Sequence, residues 1–406
     1  MRGAGSLPGA LRRPMVRHLQ KDAAMAGHLH QWPAQGRVHH GIAIAEALPR
    51  EVAGATRVVL VTTRSLADGT LVRTTKAAIG GRLVGVFATM RAHSPVEDVL
   101  ALAALLRAEQ ADLMVAVGGG SVIDGSKVAC LAVWRGLADA ESLIGAAASR
   151  GSEPAFWDGA APAPRIIAVS TTLSAAEFAP HAGYTDLVAG RKYRALDPWM
   201  VPRAVILDPE ATLETPPALL LSSGIRALDH AAERWCSTAP QPFSDAVSLQ
   251  AMEMLAQHLP RVHQAPDDLV ARAACQQAAW LSVMGGWAGV PVGASHGIGY
   301  ILGGAKGVPH GVTSCLMLHA VMRWNAPVNG ARQARVAEIL KAEAAGPGIE
   351  RFVRALGLPT RLSEQSITEA DIPGLAARWT GDAPIGTNPR PVRGAEDIEE
   401  ILRLAA

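Results

Sequence analysis

Short apolar runs rich in β-branched residues recur between helix-period segments in the first half of the chain. Five of them are RVVLVTT (57–63), LVGVF (83–87), DLMVAV (112–117), RIIAVS (165–170) and RAVILD (203–208). A run that is apolar throughout predicts a strand buried on both faces, and strands that alternate with helices predict a parallel sheet. The segment that follows Pro95 has the apolar stripe of one such helix. Residues 37–208 therefore predict an α/β domain whose parallel sheet is covered by helices on both faces.

The pattern changes after Pro209, where helical periodicity replaces the strand signals. The predicted helices cover Pro217–Cys236, Asp245–His258, Leu269–Met284, Ser314–Trp324 and Val336–Leu356. A chain of 406 residues is too long for one small core. We therefore expect a second, all-helical domain over 209–406 that carries the substrate and catalytic site. Residues 1–36 begin with a basic stretch that has no apolar block, and we expect them to form a tail outside the fold.

Composition excludes several classes of protein. Hydrophobic residues make up 49% and charged residues 18% of the chain, which is typical of a packed globular protein. The formal net charge of +2 gives no support for nucleic-acid binding. Four widely spaced cysteines form no CxxC pair and predict reduced thiols in a cytoplasmic protein. No apolar run reaches membrane-spanning length, so no membrane partner is expected.

A glycine-rich turn lies between a predicted strand and a predicted helix in VAVGGGSVIDGSK (115–127). Gly118, Gly119 and Gly120 allow a sharp turn, and Ser121 with the free N–H groups of the next helix can hold a pyrophosphate. A glycine turn after a strand is also often no more than a tight turn. However, STTLSA (170–175) follows another strand at the same carboxyl edge, where ligands bind in open α/β sheets. The two turns together favour a dinucleotide site.

Histidines mark the second half of the chain. His296 and His310 bracket the turn in SHGIGYILGGAKGVPHG (295–311), and His230 lies in the helical stretch GIRALDHAAE. Helical spacing puts Tyr300 one turn after His296, and Arg226 one turn before His230. The three imidazoles are predicted to converge on one ion or one substrate. The alternative is that each is a core histidine with satisfied nitrogens.

These motifs, in this order and spacing, resemble the iron-containing (group III) alcohol dehydrogenases. STTLSAAEF, the step His93-Ser94-Pro95 and NPRP (388–391) are more similar to the maleylacetate reductase branch. The resemblance implies that Gly118, Gly119, Gly120 and Ser121 hold the pyrophosphate of NADH or NADPH, and that Asp124 and Lys127 brace the loop. It also implies that the cofactor is contacted by Thr171, Thr172, Ser174 and Lys192. In the same resemblance, three of the four metal ligands are matched by His230, His296 and His310. The family further implies that the protein is a homodimer.

The chain departs from the family pattern at three positions. Arg226 stands where the family has its fourth ligand, an aspartate, and Tyr300 stands where it has a further histidine. A guanidinium beside a divalent ion costs on the order of several kcal/mol, so Arg226 disfavours iron or zinc. Thr63, followed by Arg64, replaces the acid that reads the ribose hydroxyls, which removes the repulsion against a 2′-phosphate.

Together these departures predict a positively charged pocket for a small anionic oxo-acid. The predicted function is NAD(P)H-dependent reduction of an unsaturated oxo-dicarboxylate such as maleylacetate, in the degradation of aromatic compounds. In this reading Arg226 binds a carboxylate, and His296, Tyr300 or His310 supplies the proton. His230 completes the predicted catalytic set. Two alternatives stay open, a metal-dependent alcohol dehydrogenase and a non-catalytic nucleotide-binding protein.

Overall fold

The computed structural model describes residues 30, 32–148, 160–381 and 384–406. The described strands are β1 Arg37–His40, β2 Val58–Val61, β3 Leu83–Phe87, β4 Leu113–Gly118, β5 Arg165–Ser170, β6 His181–Asp186, β7 Arg191–Leu196 and β8 Ala204–Leu207. Six of them form one parallel sheet in the order β1-β8-β5-β4-β2-β3. The predicted parallel sheet is confirmed, and all five predicted strands belong to it.

Helices cover both faces of the sheet, as predicted. They are α1 Ile44–Val52, α2 Thr70–Ile79, α3 Val96–Ala108, α4 Gly120–Arg135 and α5 Ala140–Ala148. On one face α1 and α2 pack against alternate residues of β2 and β4, including Leu60 and Val115. On the other face α3 and α4 pack against the intervening residues, including Val61 and Ala116. Because successive strand residues point to opposite faces, only strands that are apolar throughout can serve both cores.

A hairpin outside the main sheet was not predicted from the sequence pattern. Strands β6 and β7 pair antiparallel, and their turn contains Gly190 with φ 60°. The strand sequences, HAGYTD and RKYRAL, are too polar to stand out as buried runs. The hairpin contacts α4 and carries Lys192 towards the second half of the chain.

The second half is helical throughout its described part. Its helices are α6 Pro217–Trp235, α7 Pro242–Gln264, α8 Leu269–Met284, α9 Ala294–Lys306, α10 His310–Ile339, α11 Ala345–Ala355, α12 Ile372–Ala376 and α13 Ala395–Arg403. The single helix predicted over 336–356 is wrong, because a turn with Lys341 at φ 51° separates α10 from α11. Helix α6 shares a core with Val205 and Leu207 of β8, so the helical part packs directly on the sheet.

The predicted tail ends earlier than expected. Residues 1–29 and 31 lie outside the described residues, but Gln35 donates hydrogen bonds to the carbonyls of Glu177 and Pro202 at 3.1 Å each. The carbonyl of Ala34 also accepts a bond from buried Arg165 at 2.8 Å. Residues 34–36 therefore belong to the fold. Among the described helices, none combines the length and the hydropathy that a membrane crossing needs.

Candidate active site

The strand order creates a crevice between β2 and β4. The chain passes from β2 outward to β3, and then returns to place β4 on the other side of β2. Ligands of open α/β sheets bind at such a switch point, outside the carboxyl ends of the strands. Thr63 follows β2, the glycine turn follows β4, and Thr171 follows the next strand, β5. The fold thus brings the predicted cofactor residues to one edge.

The glycine turn and the second polar turn lie in contact. A Cβ on Gly119 would lie 2.8 Å from Cγ2 of Thr172, and one on Gly120 would lie 3.2 Å from the Ser174 hydroxyl. The first N–H groups of α4 are left free by the helix geometry and attract anions. The Thr172 hydroxyl is buried without a partner in the described part of the chain. These features fit the pyrophosphate of a nicotinamide dinucleotide.

His93 lies in the candidate site, although the sequence pointed to it only through its similarity to the maleylacetate reductase branch. Its backbone N–H donates to the Ser121 hydroxyl at 3.0 Å, and its ring centroid lies 5.8 Å from that of His310. His93 and Ser94 have φ values of 65° and 50°, a conformation that non-glycine residues seldom adopt. Such backbone strain clusters at functional sites. Burial, followed by the charge of Lys192, lowers the pKa of His93.

Asp124 and Lys127 hold the hairpin rather than the glycine turn, which corrects the role that the resemblance implied. The Asp124 carboxylate accepts the N–H of Gly183 at 3.0 Å. The buried Lys127 ammonium donates to the carbonyls of Ala179 at 2.8 Å and His181 at 3.2 Å. The ammonium also donates to the carbonyl of Ala176, and a lysine with three such partners fixes the start of the hairpin on α4.

Lys192 reaches from this hairpin to His310. Its ammonium makes a hydrogen-bond contact with Nε2 of His310. Burial lowers the pKa of Lys192 to about 8, and the charge of Arg226 adds to the shift while Asp124 opposes it. Burial, then the charges of Lys192 and Arg226, hold the pKa of His310 well below its ordinary value. The lysine therefore acts as the cation and the histidine as the neutral partner of this pair. Nδ1 of His310 is buried and has no partner among the described residues.

Arg226 is buried inside the site. Its guanidinium donates to the Ser314 hydroxyl at 3.1 Å, lies 3.7 Å from the Asp229 carboxylate and lies 5.8 Å from the ring centroid of Tyr300. Asp229 is fully buried and also accepts from the hydroxyls of Ser295 at 2.9 Å and Ser314 at 2.6 Å. Burial opposes ionisation of Asp229, but His296, Arg226 and Ser314 keep its pKa below the ordinary value.

Glu233 anchors His296 and the start of α9. Its carboxylate accepts the N–H groups of Gly293 and Ser295, each at 2.8 Å, and Nδ1 of His296 at 2.7 Å. The Gly293 cap offers no side chain, so Glu233 satisfies the free donors of this helix N-terminus. Because a carboxylate oxygen here accepts, Nδ1 of His296 is the donor. Nε2 of His296 is buried and has no partner in the described chain.

His230 faces His296 from α6. The two ring centroids lie 4.7 Å apart, and Nδ1 of His230 is buried without a partner among the described residues. Burial, then the charges of His296 and Arg226, hold the pKa of His230 well below its ordinary value. Tyr300 lies one turn after His296 on α9 and 5.9 Å, between ring centroids, from His310. The predicted catalytic residues thus lie around one centre, with Arg226 among them.

Comparison with known proteins matches both halves of the chain. The family model described as iron-containing alcohol dehydrogenase covers residues 35–209, and that of the family's C-terminal part covers residues 220–406. The chain belongs to the iron-containing alcohol dehydrogenase family. It is therefore an oxidoreductase. Members of this family use NAD(P) and usually a divalent metal.

Relatives within the family carry different names. Dehydrogenase FUM7 of Gibberella moniliformis is 32% identical over 86% of this chain and 91% of its own length. Maleylacetate reductase of Burkholderia cepacia is 31% identical over 88% of this chain and 92% of its own length. The structure of sulfoacetaldehyde reductase from Bifidobacterium kashiwanohense in complex with NAD+ has a TM-score of 0.80 and is 25% identical, covering 94% of this chain and 99% of that one.

The residues present do not fit the divalent ion of the family. Among the described residues, the side chains whose ligand atoms lie within 4.8 Å of one another belong to Asp229, Glu233 and His296, not to the three predicted histidines. The Asp229 carboxylate already accepts hydrogen bonds from serine hydroxyls, and the Glu233 carboxylate accepts them from the N–H groups at the start of α9. Arg226 contacts Asp229 and Lys192 contacts His310, so both cations lie beside candidate metal ligands, and their repulsion of a dication would be on the order of several kcal/mol.

Proposed function

We propose that the chain is an NAD(P)H-dependent reductase of a small anionic oxo-acid, of the maleylacetate reductase kind. The observation that carries the proposal is the buried guanidinium of Arg226 among three histidines. With Lys192, it gives the pocket two cationic side chains at its centre. A guanidinium binds a carboxylate through two parallel hydrogen bonds, which suits it to an acid substrate. The names of two relatives, a maleylacetate reductase and a sulfoacetaldehyde reductase, are in keeping with an acidic carbonyl compound.

The nicotinamide cofactor would lie in the crevice between β2 and β4 and would supply the hydride. Gly118 to Gly120 and the free N–H groups of α4 would hold its pyrophosphate, with Thr172 and Ser174 on the opposite wall. Thr63 offers a hydroxyl where an acid would repel a 2′-phosphate, and exposed Arg64 follows it. The site is therefore compatible with either NADH or NADPH.

His296 is the best placed of the three candidate proton donors. Glu233 holds its ring through Nδ1, so Nε2 is the atom left to exchange a proton with the substrate. His310 instead shares Nε2 with Lys192, and Tyr300 is 38% exposed. Arg226 would orient the substrate by its carboxylate, so that the reducible bond faces the cofactor crevice.

A substrate panel tests the proposal. Oxidation of NADH and NADPH is followed with oxo-dicarboxylates, oxo-monocarboxylates and neutral aldehydes, each with and without chelator. We expect the highest kcat/KM with an unsaturated oxo-dicarboxylate and no loss of activity in chelator. Activity restricted to alcohols and neutral aldehydes, and lost in chelator, would support a metal-dependent alcohol dehydrogenase instead. The homodimer implied by the family resemblance stays a prediction.

A further inference from the structure

A second feature, a cavity of about 240 Å³, opens beside the catalytic centre. Three parts of the chain line it: the hairpin turn with Arg191 and Lys192, the exposed side of α9 with Tyr300, and the C-terminal segment with Arg378 and Trp379. Lys192 makes a hydrogen-bond contact with His310, and the rings of Tyr300 and His310 lie 5.9 Å apart, so the cavity adjoins the site described above. None of the described residues that line it is acidic.

Two guanidinium groups that line this cavity form no ion pair with the carboxylates that the structure describes. Arg191 lies over the ring of Tyr193 at 5.4 Å, and neither it nor Arg378 forms an ion pair with a described residue. Other arginines of the described chain do form such pairs, for example Arg135 with Asp197 at 2.8 Å. Unpaired cations that face one small cavity create a positive potential that attracts an anion. The cavity therefore has the charge of an acid-binding site.

The walls between the cations are largely apolar. Ile301, Trp379 and Ile385 line the cavity with carbon surface. A volume of about 240 Å³ is smaller than the roughly 300–1,000 Å³ of sites for drug-sized ligands, which restricts the occupant to a small molecule. A short carbon chain with an anionic group at each end matches this combination of surfaces.

We propose that Arg191 and Arg378 bind the distal carboxylate of a dianionic substrate, while Arg226 and Lys192 bind the end that is reduced. The inference rests on the proposed function, because it takes the substrate to be an oxo-acid, and it adds the residues that select a dianion over a monoanion. Arg191 comes from the hairpin and Arg378 from the C-terminal segment. The specificity would thus depend on two segments that are far apart in sequence.

The test compares matched ligands on matched variants. Arg191→Met, Arg378→Met and the double variant are assayed with an oxo-dicarboxylate and with the same oxo-acid lacking its distal carboxylate. Because both arginines are partly solvated, we expect each single variant to lower the dianion-to-monoanion ratio of kcat/KM about three- to tenfold, and the double variant about ten- to hundredfold. Arg393→Met is the control, since Arg393 is also exposed but does not line the cavity.

Calorimetric titration with the unreactive pair adipate and hexanoate separates this inference from the proposed function. We expect the wild type to bind adipate at least about tenfold more tightly than hexanoate, and the double variant to lose that difference. If the wild type reduces no oxo-acid, the proposed function fails, and the titration still decides on the cavity. If the double variant reduces the dicarboxylate and prefers adipate as the wild type does, Arg191 and Arg378 are not the anion site.

Discussion

Replacing Arg226 by methionine keeps most of the side-chain volume and removes the charge. The guanidinium is only 8% exposed, so a carboxylate bound to it would be shielded from water. A charge-assisted hydrogen bond in such a place contributes roughly 1.5–3 kcal/mol. Arg226→Met should therefore lower kcat/KM for an oxo-dicarboxylate about ten- to hundredfold, at about 1.4 kcal/mol per factor of ten. Affinity for NADH should stay the same, because Arg226 contacts Ser314, Asp229 and Tyr300 rather than the glycine turn.

The stability of the Arg226→Met variant gives a second test of how Arg226 is paired. Removing one partner of a buried ion pair costs about 3–5 kcal/mol when the remaining charge has no other partner. Asp229 keeps the hydroxyls of Ser295 and Ser314 after the substitution. We therefore expect a smaller loss, about 1–3 kcal/mol in the free energy of unfolding measured with urea. Arg226→Lys keeps the charge but loses the planar fork, and should recover part of the stability and less of the activity.

Metal analysis completes the test of Arg226. Wild-type protein is expected to contain no stoichiometric iron or zinc and to keep its activity in chelator. Arg226→Asp should gain one ion per chain, because it removes the cation and supplies a carboxylate one helical turn from His230. Two results would refute the reasoning: an Arg226→Met variant with wild-type kcat/KM on a dicarboxylate, or wild-type enzyme inactivated by removal of a tightly held ion.

Three further predictions concern the cofactor and the pH dependence. Because Thr63 and Arg64 replace the usual acid, kcat/KM with NADPH should lie within about tenfold of that with NADH, a gap of ~1.4 kcal/mol. A thousandfold preference for NADH in steady-state kinetics would contradict this prediction. Gly119→Val should abolish NADH binding in a fluorescence titration while the melting temperature confirms a folded protein, whereas unchanged affinity would mean that the loop is only a turn. Lys192 has its pKa lowered to about 8, so activity that needs its ammonium should fall as the pH rises through about 8. Lys192→Arg stays charged and should move that limb of the kcat/KM profile to higher pH, and an identical limb in the variant would assign it to another group.

The parallel sheet was predictable because its cause is local. Strands β2, β4, β5 and β8 are buried along their whole length, and only a continuous apolar run can satisfy the cores on both faces of the sheet. The hairpin 181–196 escaped prediction because its strands, HAGYTD and RKYRAL, are too polar to form continuous apolar runs. The break between α10 and α11 escaped as well. It uses Lys341 at φ 51°, a conformation for which lysine carries no sequence signal.

The candidate site was likewise predictable only in part. Gly119, Thr172, His296 and Arg226 could be selected from the sequence, because each lies in a local pattern or departs from a family pattern at a known spacing. The structure adds that Arg226 is buried and lies 3.7 Å from the Asp229 carboxylate. After burial itself, the charges of His296 and Arg226 help to hold the pKa of His230 below its ordinary value.

Only the tertiary structure decided the partners of the candidate catalytic side chains. Glu233 and His296 are 63 positions apart, yet their carboxylate and Nδ1 lie at 2.7 Å. Lys192 and His310 are 118 positions apart and share a hydrogen-bond contact. The sequence by itself determined five strands of the parallel sheet, the two polar turns at its edge and the residue types available for chemistry, because these depend on periodicity and on backbone freedom within a few residues. Which carboxylate holds which imidazole depends on how α6, α9 and the hairpin pack, and that packing is a property of the whole core.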